Sequence, residues 1–304
     1  MSLRSQIATA ALLTLLGASS CCAEPVGVVT ALDGFYRADL GARQATELGF
    51  AGNYAGQIIA VEGLAYAPSG DLYGVTDNLK SVFRFNPNTG AASFVGPLGL
   101  TGEGQFSNLD TAFAITADGR AWLASAVVGK LWSVNLSTGA ASLVGDLGYK
   151  ISGLAARGNE LFAAGSRGDE GLYRVNVKTG TATLIAGFKR VIPYAPTISL
   201  GFDAQDRLWA VINYNPPQNG NGSLATWSDV AQVDPETGSI VLTGSLTGPS
   251  SLQTISVRGL SITPPHVTGG TAPVAVPSSN LPALGTLLLA LGLAGGIGLR
   301  RRSY

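Results

Sequence analysis

The sequence has 304 residues, of which 12% are charged, and its 19 basic and 19 acidic residues give a net charge of zero. A neutral chain lacks the basic surface with which proteins bind nucleic acids, so no nucleic-acid partner is expected. The 46% of hydrophobic residues and the 41 glycines are typical of a globular chain with many tight turns.

The first 23 residues have the pattern of a secretory signal peptide. Arg4 supplies the positive charge, and the apolar run from Ile7 to Leu16 is too short to cross a membrane as a helix. Signal peptidase is expected to cleave after Ala23, which removes both cysteines of the sequence. The mature chain would then be exported and would have no thiol, no disulfide and no thiolate metal site.

Lipidation at Cys21 is the alternative for the amino-terminal end. The segment Ala18-Ser19-Ser20-Cys21 resembles a lipobox, the motif at which bacterial lipoproteins are acylated. Ala18 stands where such proteins usually carry a larger aliphatic residue, so cleavage after Ala23 is the favoured prediction.

A turn of the form Asn/Asp-x-x-Thr-Gly occurs four times in the central region. The four segments are 86–90, 135–139, 176–180 and 234–238, and Asp39-Leu40-Gly41 is a weaker relative. Asn or Asp opens such a turn by bonding the backbone two residues on, and Gly closes it at positive φ. Recurrence at about 40–60 residues, in a chain without helical periodicity, predicts the blades of a β-propeller.

A second shared block precedes each turn, so that every repeat holds four strands, which we name A to D in chain order. Strand A carries a small residue, as a crowded innermost strand requires, and strand B an aromatic residue that suits packing between blades. The small residues are Gly63, Ala112, Gly153 and Gly201, and the aromatic residues are Tyr73, Trp122, Phe162 and Trp209.

The two ends of this region each match a different part of one repeat. Residues 25–50 contain segments that match strands B, C and D (26–30, 34–39 and 45–48) without a preceding strand A. The missing strand is matched by 257–262, which is similar to 61–66. Pairing the two ends closes the ring and removes exposed sheet edges. The prediction is an all-β fold: a five-bladed β-propeller over residues 24–262, with a split closing blade.

The connections D–A and B–C share one face of a propeller, and two carboxylates are expected there. Glu62 and Asp110 occupy matching entries to strand A in neighbouring repeats, with Asn108 close by. Such oxygen atoms could bind Ca²⁺, or the carboxylates could act as an acid/base pair. The residue types resemble those of metal-dependent lactonase propellers. The alternative is that all three are solvated or strand-capping residues.

The longest connection, 212–229, is rich in amides and flanked by aromatic residues. Asn213, Tyr214, Asn215 and Trp227 could stack on a sugar and bond its hydroxyl groups. Lys189, Arg190 and Tyr194 of a neighbouring connection could contribute. A plain surface loop has the same composition, so a glycan ligand remains one of two interpretations.

The carboxyl-terminal end predicts a membrane anchor. Residues 263–280 form a linker rich in Pro, Gly, Ser and Thr, which contains the only histidine, His266. Residues 281–304 hold an uncharged span of 19 residues, 281–299, followed by Arg300, Arg301 and Arg302. Such a span can cross a bilayer, and the arginines keep its end cytoplasmic, with the propeller outside.

This tail resembles the bacterial sorting tails called IPTL-CTERM. The resemblance rests on Leu281, Pro282, Ala283 and Leu284, the apolar span and the arginine cluster, although the family has Ile and Thr in place of Leu281 and Ala283. It implies recognition by a sorting or processing peptidase at the cell envelope. The same four residues are similar to a sortase LPxTG signal with Leu284 replacing Thr. The repeats resemble those of NHL-like and YVTN-like bacterial propellers.

Without His or Cys in the mature propeller, a Ser-His-Asp triad, a Cys nucleophile and a His-ligated metal are excluded. The sequence therefore predicts an exported, envelope-anchored propeller that acts as a surface module for an unknown glycan or protein. One alternative is a hydrolase or lyase that uses Glu62 and Asp110, alone or with a metal ion. The other is a structural envelope protein.

Overall fold

The computed structural model describes residues 25–104, 107–214, 228–249, 252 and 257–262. They form five antiparallel sheets of four strands, which are the blades of a propeller, and one small hairpin. The first blade is β6 (Val61–Tyr66), β7 (Leu72–Thr76), β8 (Ser81–Phe85) and β9 (Ala92–Pro97). The second is β10 (Thr111–Ile115), β11 (Ala121–Ser125), β12 (Lys130–Val134) and β13 (Ala141–Asp146). The hairpin is β4 (Asn53–Tyr54) and β5 (Gln57–Ile58).

The third blade is β14 (Ile151–Arg157), β15 (Glu160–Gly165), β16 (Gly171–Val175) and β17 (Ala182–Gly187). The fourth is β18 (Thr197–Phe202), β19 (Leu208–Asn213), β20 (Ser228–Val233) and β21 (Ile240–Ser245). The closing blade joins the carboxyl-terminal strand β22 (Gly259–Ser261) to β1 (Val26–Ala31), β2 (Gly34–Asp39) and β3 (Gln44–Phe50). The predicted five blades and split closing blade are therefore confirmed.

The innermost strands β6, β10, β14, β18 and β22 contact one another around the central axis. The strand B aromatics lie between blades as predicted: Trp209 packs with Val29 of the closing blade, and the rings of Phe162 and Phe202 are 5.3 Å apart. In the fourth blade, Ser199 occupies the register position of Gly63, and Gly201 lies opposite Trp209. The small residue of this strand is thus Ser199, two residues earlier than the repeat pattern indicates.

The repeated C–D turns have the predicted chemistry. In the first blade, Asn86 Oδ1 accepts a bond from the Asn88 amide at 2.9 Å, and Gly90 has φ +75°. The closing glycines of the other three turns have φ between +68° and +79°. The closing blade differs, because Arg43 rather than Gly41 has positive φ, +56°.

At three of the five blade interfaces, the C–D turn of one blade packs on a glycine in strand D of the preceding blade. A methyl group added at Gly96 would overlap the Thr138 carbonyl oxygen, and one at Gly145 would overlap that of Thr179; Gly49 and Thr89 repeat the contact. The absence of a side chain at these positions therefore sets how closely neighbouring blades approach.

We expect Gly96→Ala to destabilise the protein by about 2–3 kcal/mol, because the Thr138 turn must move to admit the methyl group. Gly187→Ala is the matched control, since its added methyl would meet nothing nearer than the Glu170 carbonyl oxygen at 3.8 Å. Urea unfolding of both variants measures the difference. Equal stability of the two would contradict the proposed role of glycine at the interface.

The two described ends of the chain lie on the same face. We call the face with the D–A and B–C connections the upper face and the opposite one the lower face. β1 runs antiparallel to β22, with Val28 opposite Ser261, so Val26 and Ser261 both lie toward the lower face. Both described ends, residues 25 and 262, are therefore on the lower side of the ring.

The central channel has an upper and a lower recess, separated by a ring of apolar side chains. Five side chains, one from each innermost strand, line both the upper and the lower recess of the channel: Leu64, Phe113, Leu154, Leu200 and Leu260. We call this ring the waist. Above it lie Glu62, Ser152 and Arg258, whereas Ile115, Phe202 and Ile262 line the recess below.

The chain divides into a unit that ends at Val267 and a second unit, Thr268–Tyr304. The predicted signal peptide, linker and membrane span lie outside the described residues, as do Cys21, His266 and the sorting residues. Within the described residues, no helix has the length and apolar character needed to cross a bilayer.

Candidate functional site

A cluster of charged side chains surrounds the upper end of the channel, which we call the upper mouth. Glu62 is the second residue of β6, Asp110 immediately precedes β10, and Arg258 immediately precedes β22. Because the innermost strands surround the axis, these positions bring side chains of three blades together. The register aligns Glu62 with Thr111, so Asp110 lies one residue before the matching position that the sequence predicts. Asp110 has φ +46°, an uncommon backbone conformation that Asp tolerates better than most residues.

Arg258 bridges the two predicted carboxylates. Its Nη1 atom lies 2.6 Å from Glu62 Oε1 and 3.3 Å from Asp110 Oδ1. Arg167, from the B–C connection of the third blade, pairs with the other oxygen of Asp110. The backbone N–H of Thr111 donates to Glu62 Oε2 at 2.8 Å. Both carboxylates therefore already have cationic partners within the protein.

Asp77, in the B–C connection of the first blade, is the third carboxylate of the cluster. Its Oδ1 atom accepts bonds from Lys80 Nζ at 2.6 Å and from the Leu109 backbone N–H at 3.0 Å. One oxygen of each of Asp77, Glu62 and Asp110 lies within 4.8 Å of the others. Four of the five blades thus contribute charged groups to the mouth.

The cluster is layered, with carboxylates beneath and cations toward solvent. The side chains of Glu62, Asp77 and Asp110 are 10–12% exposed, whereas those of Arg258 and Arg167 are 33% and 34% exposed. When every group is ionised, three carboxylates balance Arg167, Arg258 and Lys80. Of these six charged groups, the two guanidinium groups are nevertheless the most exposed to solvent.

Burial raises the pKa of Glu62 from 4.5 to about 7. Arg258 and the Thr111 amide lower this pKa, whereas the negative charges of Asp77 and Asp110 raise it. Near neutral pH, Glu62 is therefore divided between its protonated and ionised forms, the condition in which a carboxyl group exchanges protons most readily.

This pKa predicts how stability depends on pH. Because protonation is favoured in the fold, the stabilisation is complete below the unfolded pKa of about 4.5 and is lost as pH rises through about 7. Relative to Glu62→Gln, the wild-type protein should lose about 2–3 kcal/mol between pH 5 and pH 8. Denaturant unfolding of both proteins across this range measures it. Parallel stability curves would contradict the prediction.

A buried hydroxyl group without a partner adjoins the same cluster. Thr197 is 8% exposed, and its Oγ1 atom has no hydrogen-bond partner among the described residues. The recess that it lines is shared with Glu62, Asp110, Thr111, Ser152 and Arg258. Buried hydroxyl groups are normally satisfied, so Thr197 is an exception, and the recess has no room for a water molecule as it stands.

The arrangement suits a mixed-charge site better than a calcium site. Ca²⁺ takes six to eight oxygen ligands at 2.3–2.6 Å, whereas Glu62, Asp77 and Asp110 are each paired with a Lys or Arg. The Arg258 guanidinium stands between Glu62 and Asp110, where a cation shared by them would bind. Ca²⁺ binding would require Arg258 to move away.

The structure brings Glu62 and Asp110 together but leaves Asn108 outside the cluster. Asn108 is exposed, and its backbone exchanges two hydrogen bonds with Glu103. Sequence reasoning missed Asp77, Lys80 and Arg167, whose connections have no repeated pattern. Arg258 could have been found, because the segments 257–262 and 61–66 align it with Glu62, so that opposite charges take equivalent positions.

The residues predicted to bind a glycan differ in their exposure, and some lie outside the described part of the chain. Tyr214 is 3% exposed and packs in the core of the fourth blade, and Asn213 is 2% exposed with its amide bonded to the Val257 carbonyl. Neither side chain is available for stacking on a sugar or bonding its hydroxyl groups. Asn215 and Trp227 lie outside the described residues. Lys189, Arg190 and Tyr194 are exposed on a D–A connection.

A second recess, of about 70 Å³, lies below the waist. Both apolar and polar groups line it, the polar ones including Tyr66, Arg157, Asp203 and Asp206. Arg157 pairs with Glu160 and Glu236, and Asp203 with Arg207. The charges of Arg157 and Asp203 are therefore already balanced by other side chains.

A family model described as a domain of unknown function (DUF4394) matches residues 32–155. No curated protein matches the sequence. A solved protein of unknown function from Bacteroides thetaiotaomicron is 13% identical with a TM-score of 0.45, and the match covers 60% of this chain and 53% of that one.

Two further solved structures are similar at the same level. The nidogen/laminin complex is 14% identical with a TM-score of 0.49, and covers 78% of this chain and 98% of that one. Virginiamycin B lyase from Staphylococcus aureus is 14% identical with a TM-score of 0.40, and covers 72% and 70%. This chain therefore spans about half the length of the Bacteroides protein.

Proposed function

We propose that the protein is an exported β-propeller, anchored in the bacterial cell envelope, that binds a ligand through its upper face. The observation that carries this proposal is the convergence of charged side chains from four blades at the upper mouth. Convergent charged groups and a perturbed pKa at the end of a channel are features by which candidate binding sites are recognised.

Export and anchoring are supported by the sequence alone, through the amino-terminal signal pattern with Cys21 and the apolar span 281–299 followed by arginines. Signal peptidase and a sorting peptidase are the expected processing partners.

Export and anchoring are tested by adding protease to intact cells that produce the full-length chain. Loss of the propeller from whole cells, with cytoplasmic markers intact, is the expected result. Fractionation before and after removal of residues 281–304 should change the protein from membrane-bound to released. A propeller protected from protease would contradict outward display.

Ligand binding is tested by a thermal-shift screen of the full-length chain against sugars, sugar acids and divalent metals. A ligand at 100 times its dissociation constant adds about 2.7 kcal/mol of stability. A shift that is lost in Arg167→Gln but kept in Arg120→Gln, on the lower face, would assign binding to the upper mouth. If no compound shifts the melting temperature, chemical cross-linking on cells should find a protein bound at the same face. Failure of both would favour a structural role.

The second candidate is a hydrolase or lyase that uses carboxylates. The specific observation that favours it is Glu62, whose pKa of about 7 suits a general acid or base. Asp110 is close to Glu62, but it already forms ion pairs with two arginines. Turnover of glycan or lactone substrates that disappears in Glu62→Gln, and that persists in EDTA, would move this candidate to first place.

A further inference from the structure

We propose that the upper mouth binds the carboxylate group of a small acidic ligand, such as a sugar acid, between Arg167 and Arg258. This inference rests on the proposed function, because it names the class of ligand for the same site. Three independent features of the mouth support it: donors that remain available, the order of the charges, and an unsatisfied hydroxyl group.

Each of the two guanidinium groups has N–H donors that form no ion pair with a described residue. In the described part of the chain, Arg258 forms both of its ion pairs through Nη1, and Arg167 pairs with Asp110 through Nη2. The other terminal nitrogen of each guanidinium is left for a ligand. About one third of each side chain is exposed. Guanidinium groups bind carboxylates in a planar, two-bonded geometry.

The space at the mouth limits how a ligand can bind. The recess between the charged cluster and the waist has a volume of about 10 Å³, which is near the smallest that holds one water molecule. An acid therefore cannot enter the channel. Its carboxylate must lie at the outer edge of the arginines, with the remainder of the ligand over the upper face.

Thr197 supplies an observation that does not depend on the charges. Its hydroxyl group is nine-tenths buried, has no partner among the described residues, and lines the recess that Asp110 and Arg258 also line. The recess has no room for a water molecule as it stands, so the hydroxyl can donate to a ligand carboxylate only if the Arg258 side chain moves outward to admit it. Its neighbour Ser152 is already occupied, since it accepts the Ile198 amide at 2.9 Å.

Binding of an anion should be coupled to protonation of Glu62. The groups that face Glu62 are Arg258, Asp77, Asp110 and the Thr111 amide, while Lys80 and Arg167 pair with the two aspartates. With Glu62 ionised, the cluster has three positive and three negative charges; with Glu62 protonated, one positive charge is uncompensated. An anionic ligand therefore favours the protonated form, and affinity should rise as pH falls from 8 to 6.

The experiment is isothermal titration calorimetry of the full-length chain with sodium glucuronate, and with glucuronamide as the uncharged equivalent. We expect glucuronate to bind at least about tenfold more tightly than the amide. Equal binding of the two would overturn the proposal, because the sugar ring rather than the carboxylate would then be recognised. No heat with glucuronate, malonate or acetate would overturn it too. A neutral sugar or a protein captured at the upper face would still support the proposed function.

Thr197→Val distinguishes a binding role from a structural one. Replacing an unsatisfied hydroxyl with a methyl group should leave the melting temperature unchanged or higher, while glucuronate affinity falls several-fold. Arg167→Gln should also weaken binding, and Arg120→Gln, on the lower face, should not. Glu62→Gln should bind equally at pH 6 and pH 8. Unchanged affinity in both Thr197→Val and Arg167→Gln would overturn the placement of the ligand.

Discussion

Asp203→Ala is expected to destabilise the protein by about 3–5 kcal/mol, because it removes the acceptor of a buried network in the fourth blade. The Asp203 side chain is 2% exposed. It accepts bonds from the indole N–H of Trp209 at 2.9 Å and from Arg207 Nε at 2.6 Å. The backbone N–H groups of Gln205 and Arg207 also donate to it, each at 2.9 Å. Alanine would leave the buried indole N–H and this tight turn unsatisfied.

The second blade offers a matched control in the equivalent turn. There, Thr116 Oγ1 accepts the Trp122 indole bond, and Asp118 pairs with Arg120 at the surface. The Asp118 side chain is 31% exposed, so Asp118→Ala should cost less than about 1 kcal/mol. Denaturant unfolding compares the two alanine variants. Similar losses of stability in the two variants would contradict the claim that burial is the reason for the large effect at Asp203.

Asp203 should also contribute to acid sensitivity. Burial raises the pKa of this carboxyl, but the bonds from Trp209, Arg207 and Gln205 outweigh it and hold the pKa below the usual value of 3.8. A lowered folded pKa stabilises the protein above the unfolded pKa, and this stabilisation is lost as pH falls through the folded value. The advantage of wild type over Asp203→Asn should therefore be largest at neutral pH and shrink below about pH 4.

The fold could be predicted because its information is local and repeated. The turns at Gly90, Gly139, Gly180 and Gly238 each require positive φ, and Asn or Asp opens each of them. The split closing blade followed from the likeness of two short segments at opposite ends of the propeller. Even the register error at Ser199 has a local cause, since Gly201 is also a small residue within the same strand.

The site was only partly predictable, because its partners come from connections without repeated patterns. Glu62 and Asp110 were found because each lies at the start of a strand A, but Asp77, Lys80 and Arg167 lie in B–C connections that share no pattern. At Tyr214 the sequence predicted a ligand-binding residue where the structure has a buried one. An aromatic residue beside an amide-rich loop looks available for a ligand, yet it packs into the core of the fourth blade.

Closure of the ring and assembly of the site depend on the same residue, Arg258. The closing strand β22 pairs with β1 over three residues only, 259–261. Arg258 precedes this strand, and its ion pairs to Glu62 and Asp110 tie it to the first and second blades. The residue that is proposed to bind a ligand therefore also links the closing strand to the first and second blades, so that such a ligand should stabilise the closing strand.

Arg258→Met should accordingly cost about 2–4 kcal/mol at pH 8, because methionine keeps the apolar stem but leaves buried carboxylates without a counter-charge. The cost should be smaller at pH 6, where Glu62 takes up a proton, and Arg258→Met combined with Glu62→Gln should recover part of the loss. Arg120→Met is the control, since that side chain is 56% exposed and its loss should change stability by less than about 1 kcal/mol.

Hydrogen exchange measures where this stability is lost. In Arg258→Met, the amides of Gly259–Ser261 and of their partners in β1 should lose protection before those of the third blade, because only the closing blade is directly released. Uniform loss of protection in all blades would mean that Arg258 supports the ring as a whole. Unchanged protection at 259–261 would contradict its role in closure, and the ion pairs would then serve the ligand alone.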